Sequence, residues 1–145
     1  MVNRLSLIDP ALLERIEAVG PDVQRTLARA VALAAIEHTR LDDERLTPVI
    51  EQLRAPADEA PDLATASAAV DDLDNAAFDA QDRFDSGLGT EEDYVRAFTR
   101  ARAASAALAA FGDSSAEAAS DALYEAYHAA DENMAVLSSA IESAL

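Results

Sequence analysis

The chain has 145 residues and a net charge of −17, with 28 acidic residues against 11 basic ones, every one of them arginine, and no cysteine. That length suits one domain able to bury roughly 70% of the surface its unfolded form exposes. Disulfides, thiolate ligands and cysteine nucleophiles are excluded, and so acidic a surface repels nucleic acid and anionic membranes.

In chain order, "MVNRLSLIDPALLERIE" lacks a long apolar run, and no stretch approaches the ~20 apolar residues that span a bilayer, so a cytoplasmic location is expected. Asp9-Pro10 reads as N-cap and first-turn proline, with Ile8 and Leu13 placed for a hydrophobic staple; Gly20-Pro21 ends this short helix. A second helix is predicted from Pro21 to about Thr39, its stripe being Val23, Leu27, Ala30/Val31, Ala34 and His38. His38 is expected at the edge of the core, near a helix C-terminus that favours its charge. Thr47-Pro48 caps a short segment with Val49, Ile50 and Leu53, and "APADEAP" (55–61) is a linker.

Three longer helices follow. The first spans Asp62 to about Ser86, with Leu63, Ala66, Val70, Leu73, Ala77, Ala80 and Phe84 alternating by 3 and 4 before Gly87-Leu-Gly89 breaks it. The next opens at the capping box Thr90 to Asp93 and runs to Phe111, with Tyr94, Phe98, Ala101, Ser105 and Leu108 as its stripe. The last opens at a second box, Ser114 to Glu117, and carries Leu123, Tyr127, Ala130, Met134, Leu137 and Ile141 on one seam. No run has strand periodicity, and alanine alone supplies 35 residues, so the larger side chains must define the packing. These patterns predict a single all-α domain, an antiparallel bundle of five or six helices. Residues 1–54 form its N-terminal helices and 62–145 a three-helix acidic unit, whose open side the second helix covers.

Glu125 and His128 have the Glu-x-x-His spacing that carries metal in some bundles. At 100° per residue they fall, with Asp121 and Glu132, about 140–200° from the seam of Leu123, Tyr127 and Met134. The other histidine, His38, has Ala35 three residues before it. The pattern is therefore single and points outward, and the expectation is a solvated charged face with no metal or cofactor. "DDLDN" (Asp71 to Asn75) lacks a second acidic partner and is helical, too regular for a calcium loop. Gly87-Leu-Gly89 is too short to cradle phosphate, and no serine sits in a nucleophile elbow. Catalysis is not expected.

What remains is surface for a partner. Phe78 lies about 100° off its seam among acids and amides, including Asp74 and Asp82, and reads either as an interface anchor or as a widened stripe beneath the N-terminal helices. Tyr124, beside Asp121 and His128, has the same ambiguity. Charge is uneven: residues 1–54 hold seven arginines against nine acids, and 55–145 hold four against nineteen. Arg25, Arg29 and Arg40 share a face with Ile36 and are placed either to dock on those acids or to form a second contact surface.

At "RLDDERLTPVIEQL" and "GLGTEEDYVRAFTRARAASAALAAFGDSSAEAASDALYEAYHAADE" the chain resembles Ala-rich helical proteins assigned as immunity proteins of polymorphic toxin systems from GC-rich bacteria. The resemblance covers about half the chain, and the histidines those proteins carry near their last helix are missing here. It implies stoichiometric binding to a toxin or effector domain and transfers no functional residue. The expected function is a non-catalytic acidic domain that binds a basic protein through Asp71, Asp74, Phe78, Asp82, Asp121, Tyr124, Glu125 and His128. The alternative is an accessory subunit that homodimerises, or packs in a larger complex, through Ala-rich helix seams.

Overall fold

The computed structural model describes residues 3–57, 59 and 61–145. These form seven α-helices and no strand: α1 (Pro10–Ala18), α2 (Pro21–Thr39), α3 (Thr47–Arg54), α4 (Leu63–Asp85), α5 (Glu91–Ala109), α6 (Ser115–Ala129) and α7 (Ser138–Ala144). Short 3-10 turns occupy Arg4–Leu7, Glu44–Leu46 and Met134–Leu137. Of the expected linker, Asp58 and Ala60 lie outside the described residues, and its described positions carry no helix.

Local chemistry sets the boundaries. The side chains of Asp9, Asp62, Thr90 and Ser114 each accept a backbone N–H of the helix they precede. Pro10 and Pro21 occupy first-turn positions, where a missing N–H costs nothing. Helix α4 ends with Gly87 at φ 75°, Leu88 N–H reaching back 2.8 Å to the Arg83 carbonyl. Ahead of α3 the cap is Asp43, serving the 3-10 turn that runs into the helix; Thr47 does not act as one.

The centre of the bundle is α2, α5 and α6, each packed on the other two. Small side chains make this arrangement. Helix α5 buries Ala101, Ala103, Ala104, Ala106 and Ala107, and α6 buries Ala118, Ala119, Ala122, Ala126 and Ala129 around Leu123. Helices so lined can approach closely on more than one side. The bulkier fully buried side chains are Leu5, Ile16, Leu27, Val31, Leu46, Val49, Leu123 and Leu137. Helix α4 sits outside this centre, leaning on α5 and on the turn at Glu44–Leu46. As expected, α4 packs on α5 and α5 on α6, and α2 lies against α5 and α6; α2 makes the larger share of these contacts and α4 is peripheral.

Two further expectations are corrected. The last helix is not continuous: Asp131 (φ 55°) and Glu132 (φ 61°) are left-handed, and the chain turns before α7, which packs on α2. The buried face of α2 is Gln24, Leu27, Ala28, Val31, Ala32, Ala35 and Ile36, rotated from the predicted stripe and leaving His38 exposed. Ala28, Ala32 and Ala35 give α2 the close-packing face, and a reading weighted toward large side chains passes over them.

Candidate functional site

Helices α4 and α5 extend beyond the bundle as an arm. No residue from Asp74 to Arg102 belongs to the buried core cluster, whose α4 members end at Val70 and whose α5 members begin at Ala103. On this arm Phe78 is 64% exposed and Leu88, at its tip, 72%. Phe84, expected in the seam, is also exposed, because no third helix reaches this end of α4. Tyr94 and Phe98, likewise expected as buried stripe, remain half-buried.

Between the two helices lies a groove of about 280 Å³ lined by Asp74, Ala77, Phe78, Gln81, Tyr94, Phe98 and Arg102. On α4 the lining follows i, i+3, i+4, i+7, and on α5 it follows i, i+4, i+8, so the groove runs along one face of each helix. Ala77 leaves its floor open. The aromatic wall continues onto α6: Tyr94 and Phe98 are 6.0 Å apart, Phe98 meets the edge of His128 at 6.5 Å, and His128 lies 4.7 Å from Tyr124 and 5.3 Å from Tyr127.

Beneath these rings an ionic network ties three helices and the N-terminal segment together. Arg102 of α5 donates to Asp74 of α4, and its other terminal nitrogen donates to Glu125 of α6 at 2.9 Å. Arg4 approaches Glu125 at 3.4 Å and Asp121 at 4.0 Å, and its guanidinium lies 4.2 Å above the Tyr124 ring. Burial acts to lower the pKa of Arg102, but the charge of Glu125 and the hydrogen bond that Arg102 donates to Asp74 outweigh it and raise the pKa above its ordinary value. The cation is thereby fixed, and it presents its plane 5.9 Å from Phe98 at the groove's inner end.

Glu125 is the main correction to the sequence reading. Its residue is only 6% exposed and lies inside, facing α5, where a solvated face was expected. Helix α6 is buried on both sides, so the face opposite Leu123 and Tyr127 is an interhelical contact. His128 is half-buried in the aromatic row, its Nδ1 3.8 Å from Glu132.

The structure brings together six of the eight residues singled out from the sequence. Asp74 and Phe78 line the groove, while Asp121, Tyr124, Glu125 and His128 form the neighbouring α6 row, linked through Arg102. Asp71 and Asp82 stay exposed on α4, without an ion pair among the described residues. Phe78 lies away from the N-terminal helices, which excludes the widened-stripe reading.

Sequence reasoning missed Arg102, Arg4, Tyr94 and Phe98 as members of the site. The two arginines had no visible signal, because their partners are 23 to 121 residues away. Of the two placements expected for Arg25, Arg29 and Arg40, docking on the acids is not seen for Arg25. Arg25 donates to the carbonyls of Gly112 and Asp113 at 2.5 and 2.8 Å, at the negative end of α5, with no carboxylate partner among the described residues.

Among the described residues no three His, Cys, Asp or Glu side chains converge as a metal site would require, and no helix is long and apolar enough to cross a membrane. The arrangement offers a fixed cation, a row of ring faces and a narrow apolar trough under acidic walls, which is chemistry for holding another molecule. Comparison with protein-family models, curated proteins and solved structures finds no match to this chain.

Proposed function

We propose that this is a non-catalytic protein-binding domain whose α4–α5 arm engages a basic protein, in the manner of an immunity protein neutralising its toxin. The observation that carries this reading is the exposure of Phe78 over a largely apolar groove, on a hairpin that also carries six exposed acids outside the ion pairs of the described residues. Asp71, Asp79, Asp82, Asp85, Glu91 and Asp93 surround it, exposed and without ion pairs among the described residues. A buried aromatic anchor inside a charged rim is the usual anatomy of an interface that carries its energy in few residues. Unpaired carboxylates around it steer a cationic surface into place.

The test compares wild type with Phe78→Asp as immobilised bait in lysate of the source organism. A basic protein retained at one-to-one stoichiometry by wild type, and lost with the variant, supports the reading. Equal retention by both removes the arm from consideration.

A second reading, self-association through small-residue surfaces, is favoured by one feature. Ala30, Leu33 and Ala34 of α2 and Val136 and Ala140 form the apolar part of a shallow depression of about 540 Å³, edged by Glu37, His38, Ser139 and Ser143. Sedimentation of the pure protein separates the two readings: a concentration-independent dimer supports this one, and a monomer opposes it.

A further inference from the structure

Granting that the arm receives a basic protein, we infer that the element it receives is a cationic amphipathic α-helix, laid lengthwise between α4 and α5 as the third helix that end of the bundle lacks. The shape of the groove argues for this occupant. At about 280 Å³ it lies at the bottom of the range of small-molecule pockets, roughly 300–1,000 Å³, and has room for a few apolar side chains set along it. Its lining spans two turns of each wall helix, so it accepts residues spaced i, i+3/i+4, i+7 on one partner face. Strand addition is unavailable, because the walls are helices whose backbone groups are already hydrogen-bonded within them.

Charge selects the sign of the occupant's flanks. Asp71, Asp82 and Asp85 project on the same side of α4 as Phe78, and Glu91 projects on the side of α5 that carries Tyr94 and Phe98. All four are exposed and outside the ion pairs of the described residues. They edge the hairpin while Ala77, Phe78, Tyr94 and Phe98 make the middle of the trough apolar, so a helix with a leucine-type stripe and Lys or Arg on either side is complementary to it as far as Arg102, the cation of the lining. A second copy of this chain would instead bring these carboxylates toward one another. Arg102 closes the inner end of the trough and fixes where such a helix must stop.

The absence of tryptophan from the chain gives a clean assay. The probe is a synthetic peptide of about 15 residues, near the length at which isolated helices become marginally stable, with Lys and Arg flanking a stripe of Leu and one Trp. The control has the same composition, scrambled so that no apolar stripe forms. A blue shift of the probe's Trp emission, at least about tenfold tighter binding than the control, and a further loss of about tenfold with Phe78→Ala support the inference. Ala77→Leu, which raises the floor, is a second variant with the same expected loss, and the helical circular dichroism of both variants verifies folding. Equal binding of the two peptides, insensitivity to both substitutions, or binding of neither peptide overturns it. Retention of a basic protein that depends on Phe78 would still stand in those cases and would show that the arm accepts a different shape.

Discussion

The Arg102 guanidinium lies 2.9 Å from the Glu125 carboxylate, joining α5 to α6 through an acid whose side chain is only 8% exposed. Removing the cation alone leaves that carboxylate with Arg4, itself half-exposed, as its remaining partner. Arg102→Leu is expected to destabilise the protein by about 2–4 kcal/mol, somewhat less than the roughly 3–5 of a fully buried pair. Replacing both partners, Arg102→Met with Glu125→Met, should recover most of that loss, because two desolvated charges vanish together. Urea denaturation of wild type, the single variants and the double variant measures the coupling.

Acid sensitivity should be traceable to Asp43. Its carboxylate accepts from the Arg45 side chain and backbone N–H, and the side-chain hydrogen bond is the main cause holding its pKa below the ordinary 3.8. A carboxylate with a lowered folded-state pKa contributes stability that is fully present above 3.8 and is lost as pH falls through the folded value. Asp43→Asn keeps an N-capping side chain and removes only the charge. The gap in stability between wild type and this variant should be constant at neutral pH and close below pH 3.8. A pH series of thermal melts checks it.

Arg40 terminates α2 in a left-handed conformation, φ 54°, with Leu41 N–H reaching back to the Ile36 carbonyl at 3.2 Å and Leu41 itself buried. This is a position that glycine fills without steric cost, and Arg40 forms no ion pair among the described residues. Arg40→Gly should raise stability by about 0.5–1 kcal/mol despite the freer unfolded chain. An unchanged or lower melting temperature would contradict this account of the turn.

Phe78 separates stability from recognition. Its side chain is mostly in solvent, so Phe78→Ala should change unfolding free energy by no more than about 0.5 kcal/mol while weakening partner binding by about 2 kcal/mol or more. Raising salt should slow association far more than it speeds dissociation, since the carboxylates act mainly on encounter. Stopped-flow traces at several ionic strengths, on wild type and Phe78→Ala, distinguish the two contributions.

How far the sequence reveals all this depends on how local each determinant is. Caps at Asp9, Asp62, Thr90 and Ser114, and the glycine at 87, act within a few residues and mark helix ends directly. The all-α class follows from them. The exposure of Phe78 is only half legible: it breaks the spacing of its own helix, but that spacing equally allows a wider buried stripe. Glu125 was not. Its burial depends on α5 covering a face made of alanine and one acid, and alanine gives no amphipathic contrast by which to recognise a second contact side. The breaks at Asp131 and Glu132 escaped for a related reason: neither residue is glycine or proline, and the apolar spacing runs unbroken through them into Met134 and Leu137. Arg102 needed the fold itself, since its two partners lie on helices before and after its own.

The detachment of residues 74–102 from the core has an evolutionary corollary. Outside Ala77 and Ala101, which are enclosed within the hairpin, the turn glycines Gly87 and Gly89, and Asp74 and Arg102 of the ionic network, the exposed positions of that stretch meet little packing constraint. Exposed residues of the tip can be rewritten one by one while the alanine-lined interior is held constant by packing. Sequence divergence among descendants of this chain should therefore be steep along the outer faces of the hairpin and shallow across α2, α6 and the second half of α5.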